Sequence, residues 1–298
     1  QQTTTTTTTT VSMSRDCNKP PVATSEKSSP LSPVLVSPPQ EWKETQARIR
    51  SQILEHDDVN FIIDSSVKYI GGVDVSFVQG TNQAMAALIV MEFPSFQIVH
   101  EDFRVVEMAA PYIAGYLAFR EVDHLLVLID ALRTSPTKSI YLPQILMVDG
   151  NGVLHPQRCG LASHLGVMCG IPTIGIGKNL HHLPDDGVDK SLINSWREEN
   201  ERKDVNYLKK VRTLILQGSN SGVVHGAALC VHGVKKPIFV SVGHRLSLET
   251  CLALTIRCSE YRIPRPVRAA DLRSRELLRV MEEETVGVTV ATSGGGGE

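Results

Sequence analysis

Three strand-like runs follow one another before the first long stretch of alternating elements, and that order decides most of what this chain can fold into. Tyr69 to Phe77, Ala84 to Phe93 and Phe96 to Arg104 carry the apolar patterning of strands, with Pro94-Ser95 as a tight connection between the second and third. The second run is close to continuously apolar, as a strand covered on both faces must be. Helical spacing is present before them, from Glu41 to about His56, and after them from Gly115 to about Leu132. Short strands are predicted at Ile145–Val148, Thr173–Ile176, Gly222–Val231 and Ile238–Val242. Helices are predicted at Leu161–Cys169, Leu246–Arg257 and Ala269–Glu284, with a charged, partly helical surface excursion over Asp185–Lys210. Strands in sequence followed by alternating helices and strands imply an α/β domain on a mixed β-sheet flanked by helices.

The two ends of the chain contribute little to that domain. Residues 1–39 are rich in Thr, Ser and Pro, including eight consecutive threonines, and cannot bury enough apolar surface to offset chain entropy. They are expected to be a disordered tail, with the folded domain over 40–285 and a flexible Gly-rich tail over 286–298. Net charge is −2, so any nucleic-acid binding must come from a local basic face. The six cysteines show no Cys-x-x-Cys spacing and most sit in apolar runs, so they read as buried thiols of a reducing, intracellular compartment rather than a zinc site. No apolar run approaches the roughly 18 residues of a membrane span, so no membrane partner is expected.

Acidic residues stand where a core-building sequence would not put them. Asp74 interrupts the strand Gly71-Gly72-Val73-Asp74-Val75-Ser76-Phe77, and Asp149 ends Ile145-Leu146-Met147-Val148. Glu121 shares a helix face with Leu117 and Leu125, which turns it toward the sheet. Buried carboxylates are costly unless a cation or strong donors accompany them, and a hard divalent cation resolves that cost for all of them together. Such a layout suits metal-assisted phosphodiester hydrolysis. Taken alone, Asp149 reads as readily as a turn residue and Asp271 as the first-turn acid of the last helix.

Several neighbours fit the same chemistry. Asp149-Gly150-Asn151-Gly152 allows close backbone approach to a ligand, and His155 follows it. Lys178, after a strand and beside glycines, suits a phosphate as a point charge. Tyr112, on the proline-stiffened turn Pro111-Tyr112-Ile113-Ala114-Gly115, is placed either to wedge between bases or to staple the helix that follows. His244 and Arg245, between a strand and a helix, are candidates for phosphate contact.

Together these pieces resemble endonuclease V, the inosine-directed nuclease family. The resemblance is carried by Gly72-Val73-Asp74-Val75-Ser76-Phe77, Pro111-Tyr112-Ile113, Gly115-Tyr116-Leu117-Ala118-Phe119-Arg120-Glu121, Val148-Asp149-Gly150-Asn151-Gly152, and Gly243-His244-Arg245 with Ser247-Leu248-Glu249. It implies a ribonuclease-H-like fold. It also implies hydrolysis of the second phosphodiester bond 3′ to inosine in RNA or deoxyinosine in DNA, with Mg²⁺ or Mn²⁺, leaving 3′-hydroxyl and 5′-phosphate ends. Asp74, Asp149 and Glu121 would then be metal ligands, with Asp271 completing the carboxylate set. His155, Lys178 and His244 would act around the scissile phosphate. Tyr112, with Pro111 and Ile113, would form the wedge, and Gly115, Leu117, Gly150 and Gly160 would line the pocket of the flipped base.

A monomer in the cytoplasm or the nucleus, including the nucleolus, is the accompanying expectation. The chain departs from the family pattern at Ala114, at Gln157-Arg158 and at Arg265. A silent binding module, or a nuclease of the same fold without base specificity, are the readings to set against it. The carboxylate set argues against the first, and Tyr112 with its glycines against the second.

Overall fold

The computed structural model describes residues 37–58, 62–204 and 206–293, with side chains to 283. The expected tail over 1–39 therefore falls almost wholly outside the described residues, as do the last five residues of the expected C-terminal tail. The described chain runs α1 (Gln40–Arg50), the single turn α2 (Ile63–Ser66), β1 (Tyr69–Phe77), β2 (Gln83–Glu92) and β3 (Ile98–Glu107). It continues with α3 (Ala118–Thr134), β4 (Ile145–Asp149), α4 (Leu161–Cys169), β5 (Thr173–Gly177) and α5 (Lys190–Lys203). Last come β6 (Arg212–Gln217), β7 (Val224–Cys230), β8 (Ile238–His244), α6 (Leu248–Cys258) and α7 (Arg265–Ser293).

One eight-stranded sheet holds all the strands, in the order β3-β2-β1-β4-β5-β8-β7-β6. β1, β4 and β5 are parallel neighbours, and every other pairing is antiparallel. This is the mixed sheet flanked by helices of the expected fold class. One face packs Ile70, Met147, Ile174, Ile176, Val240 and Val242 against α6 and α7. The other packs Val73, Leu88, Val148 and their neighbours against α3 and α4. β2 is buried from Ala84 to Met91, so its near-continuous apolar run reflects cover on both faces.

α7 lies unusually close to β1. A Cβ on Gly72 would sit 2.1 Å from the Pro266 carbonyl, so only glycine lets the first turn of α7 touch the strand. A buried hydroxyl pair, Ser76 with Ser274 at 2.8 Å, fixes the rotation of that helix.

Five expectations need correction. α1 ends at Arg50 rather than near His56. α3 begins at Ala118 rather than Gly115, because Gly115 takes a left-handed turn at φ +82°. β3 begins at Ile98, since Pro94 to Gln97 form the turn before it. α7 begins four residues before Ala269 and extends past Glu284; Pro266 falls in its first turn, where a missing N–H costs nothing. β6 was not expected at all: its mixed polar pattern belongs to a half-exposed edge strand beside β7. With α5 it covers a third small core of Leu183, Val188, Ile193, Leu216 and Phe239.

Candidate active site

The parallel strands bring the chemistry together by register alone. Val73 pairs with Val148, so the next residues, Asp74 and Asp149, are level on adjacent strands. Asp149 pairs with Ile176, and Lys178 follows two residues later on the same side of the chain. All three point to the face covered by α7, whose second turn delivers Asp271. One carboxylate oxygen from each of Asp74, Asp149 and Asp271 lies within 4.8 Å of the others.

The charges here are poorly balanced. Asp74 is 7% exposed and makes no ion pair among the described residues; the Ser76 hydroxyl donates to it at 3.0 Å. Burial, and then the neighbouring Asp149 carboxyl, push its pKa well above the usual carboxylate range. Glu121, 4% exposed on α3, is pushed up to about 8 by burial and by the charges of Asp74 and Asp149. Lys178 pairs with Asp149 and, at 3.0 Å, with Asp271, which also holds Arg275 at 2.6 Å. Burial works against the Lys178 ammonium, but the three aspartates outweigh it and raise its pKa. The donor set is all carboxylate oxygen, crowded and short of positive charge, which is what a hard divalent cation requires. Around these residues lies a cavity of about 380 Å³, lined also by Phe77 and Gln79.

A second cavity, of about 260 Å³, opens beside the first. Tyr112, Gly115, Leu117, Gly150, Gly160 and His155 all line it. Consecutive residues divide the two spaces: Asp149 lines the acidic one and Gly150 the other, and Lys178 and Asn179 do the same. Gln46 on α1 braces the second cavity, donating through Nε2 to the carbonyls of Gly115 and Cys159 at 3.0 Å each. Tyr112 is 68% exposed while Ile113 is buried, so the isoleucine anchors the turn and the tyrosine projects from it. Pro111 is exposed on the same turn and does not line the cavity.

Not every expected residue arrives at the carboxylates. Glu121 stands behind the three-aspartate group, whereas Asp271, expected only to complete the set, is inside it. His155 lines the second cavity rather than the acidic one. Its Nδ1 accepts from the Gln157 N–H at 3.3 Å, its ring lies 5.0 Å from that of His181, and burial pushes its pKa down to about 4. His244 is elsewhere altogether. β8 runs antiparallel to β5, with His244 beside Thr173, so it sits at the opposite end of the sheet, roughly 13 Å along the strand from Gly177. There its Nδ1 accepts from the Leu54 N–H.

Residues that the sequence reading did not single out also line the cavities. Arg275 reaches Asp271 from one helical turn further on, and Asn179, His181 and Leu180 follow Lys178 along the chain. Asn151 lines the second cavity with its Oδ1 buried and without a partner. Its signal was available in the Asp-Gly-Asn-Gly turn.

Comparison with known proteins decides the family. The endonuclease V family model matches residues 47–272. The chain belongs to the endonuclease V family. Human endonuclease V is 40% identical over 257 residues, covering 81% of this chain and 85% of the human protein, and the mouse protein is 42% identical over 251 residues, 81% and 71%. The crystal structure of human endonuclease V superposes with a TM-score of 0.73, covering 81% of this chain and 98% of that one. Ciona intestinalis endonuclease V, solved with a 24mer DNA containing an inosine followed by a ribo-adenosine, is 34% identical with a TM-score of 0.74, covering 81% and 98%.

Two departures from the endonuclease V pattern are accounted for in place. Arg158 adopts φ 51° and ties Glu55 at 2.6 Å to the Val224 carbonyl, away from the acidic cavity. Arg265 pairs with Glu260 and lies over the Phe96 ring, on the outside of α7.

Proposed function

We propose that this protein is a divalent-metal-dependent endonuclease that reads inosine and cuts the second phosphodiester bond on its 3′ side, leaving 3′-hydroxyl and 5′-phosphate ends. The carrying observation is the adjacency of the two cavities through the residue pairs 149/150 and 178/179. A base held in the glycine-lined cavity leaves the backbone of its own strand beside the carboxylates. The inosine-containing DNA bound by the Ciona enzyme supports this reading, and the ribo-adenosine in that strand supports extending it to RNA.

Asp74, Asp149 and Asp271 would hold Mg²⁺ or Mn²⁺, with Glu121 available as a fourth carboxylate. When bound, the cation supplies Lewis acidity toward the phosphate and acidifies an attacking water. The protein's own groups do the rest. Lys178 and Arg275 bring positive charge to the phosphate. Tyr112 is free to insert at the step opened when the base leaves the stack. His155, neutral at physiological pH, adds no charge to a pocket meant for a neutral base. Hypoxanthine presents an N1–H where adenine has only an acceptor, and Asn151, which lines the pocket, carries an amide oxygen that could take that donor if its side chain turned from Gly177 toward the base. A pocket built to pair a donor rejects the base that lacks it.

The test is cleavage of single-stranded RNA and DNA, each with one inosine or a matching adenosine, in Mg²⁺ and in EDTA. Inosine-dependent cutting that needs the cation, with a 5′-phosphate two nucleotides downstream, is the expected result. Equal cutting of the adenosine strand would overturn the base-specific reading.

A further inference from the structure

A third cavity, of about 400 Å³, adjoins the base pocket, sharing two lining residues with it. Its walls come from the loop after β5, from α5 and from the turn that leads into β8. Asn179 and Leu180 also line the base pocket, whereas no residue is shared with the acidic cavity. The three spaces therefore follow one another as carboxylates, base pocket, groove.

The groove has a two-part chemistry. Leu180, Ile193, Pro237 and Phe239 give it an apolar floor. Lys190, Arg197 and Lys236 give it a cationic rim, and no carboxylate lines it. On α5 the spacing is i, i+3, i+4, i+7: Lys190, Ile193, Asn194 and Arg197 form a single stripe. Of the helix's acids, Glu199 lies on the opposite side and Glu198 at the border of that stripe, while Glu201 continues it one turn beyond Arg197, where it accepts from the Tyr207 hydroxyl at 2.7 Å and does not line the groove. None of the three cations has an ion pair among the described residues; Lys236 only donates to Asn179 Oδ1 at 3.3 Å. An apolar floor under unpaired cations fits an unstacked nucleotide, with base below and phosphate at the rim.

We propose that this groove binds the strand on the 5′ side of the inosine, engaging the one or two nucleotides that precede it. The proposal rests on the base-pocket reading above. Polarity follows from order: if the cut lies 3′ of the base in the pocket, the carboxylates take the 3′ side and the groove the 5′ side. α5 and the turn before β8 thereby become part of the substrate channel.

The experiment compares two inosine oligonucleotides with the same 3′ flank, one carrying six nucleotides 5′ of the inosine and one carrying none. The full chain is measured as wild type and as the Lys190→Ala, Arg197→Ala, Lys236→Ala triple variant, by cleavage in Mg²⁺ and by fluorescence anisotropy in EDTA. Wild type is expected to bind the extended strand roughly ten- to a hundredfold more tightly than the truncated one, with the difference in KM rather than kcat. The triple variant loses most of that advantage, and its log K against log salt slope on the extended strand falls by about 2. A wild-type enzyme indifferent to the 5′ flank overturns the proposal without any variant. So does a folded variant that keeps the full advantage and slope. Absence of inosine-dependent cleavage on either strand would instead overturn the base-pocket reading beneath it.

Discussion

At one end of the sheet Asp74, Asp149 and Asp271 crowd around the acidic cavity, with Glu121 behind them and the second cavity alongside; at the other, His244 and Arg245 join β8 to α6 with donor matched to acceptor. Arg245 pairs with Asp58 at 2.6 Å, donates to the Gly170 carbonyl, and bonds through its N–H to the Leu54 carbonyl. Asp57 accepts from the Ser247 N–H, the Ser247 hydroxyl and the Thr250 hydroxyl, each at 2.8 Å, closing the N-terminus of α6. Both ends are dense in polar residues within motifs of the same family. The difference is in satisfaction. Groups that answer one another hold a fold together, and groups left unanswered and repelling are poised for something that arrives later.

The largest expected effect tests the unanswered end. Asp74→Asn or Asp149→Asn should reduce inosine-dependent cleavage by at least roughly three orders of magnitude, while melting temperature in EDTA holds or rises. Removing one of several repelling carboxylates relieves the folded state. A large drop in melting temperature would show that these aspartates serve the fold, and the contrast between the ends would fail.

The matched end should respond in reverse. Asp57→Ala strands three donors at a helix terminus, at a cost of about 1–3 kcal/mol, seen as a lower denaturant midpoint. The turnover of the protein that remains folded should stay near wild type. His244→Ala belongs to the same class, since its ring holds the Leu54 N–H at the end of the sheet away from the carboxylates. If either change abolished turnover in a folded protein, the assignment of this end to structure would be wrong.

A smaller and reversible effect comes from pH and Mg²⁺. The folded-state pKa values of Glu121, about 8, and of Asp74 lie above ordinary carboxylate values. Folding therefore favours their protonated forms. Any stability linked to them is full below about pH 4 and is lost as pH rises through about 8. Cation-free protein should melt at lower temperature at pH 8.5 than at pH 5.5, and Mg²⁺ should erase most of that slope by binding the ionised set. A slope of opposite sign, or one indifferent to Mg²⁺, would place the repulsion elsewhere. In Asp57→Ala the whole curve should shift without changing shape.

How much of this was legible in the sequence follows the same division. Asp74 was readable because an acid between Val73 and Val75 contradicts its own strand. Tyr112 was readable because a proline and a glycine frame it. What local pattern cannot hold is strand direction. His244 ends a strand in the sequence much as Asp149 does, yet β8 runs against β4 and β5, which carries it to the far end. Asp271 was read as a first-turn acid because the last helix was expected to start at Ala269. Helix geometry admits proline in a first turn, so α7 starts at Arg265 and Asp271 lands a turn deeper, just before the Ser274 that bonds Ser76. β6 escaped because an edge strand exposes half its residues and mixes its pattern.

The smallest expected effect concerns Tyr112, a large side chain at the active end with almost nothing holding it. Its ring is 68% exposed, so truncation removes little packing and should leave the melting point unchanged. On a single strand the base already leaves the stack at small cost, and Tyr112→Ala should slow cleavage only a few-fold. On a duplex the same base must first be unpaired, at a cost of a few kcal/mol, and a stacking ring is worth about 1–3 kcal/mol by alanine substitution. The duplex-to-single-strand ratio of kcat/KM should therefore fall by roughly tenfold or more. Tyr112→Phe keeps the ring and should restore that ratio. If Phe and Ala behaved alike, the hydroxyl and not the wedge would be what the tyrosine supplies.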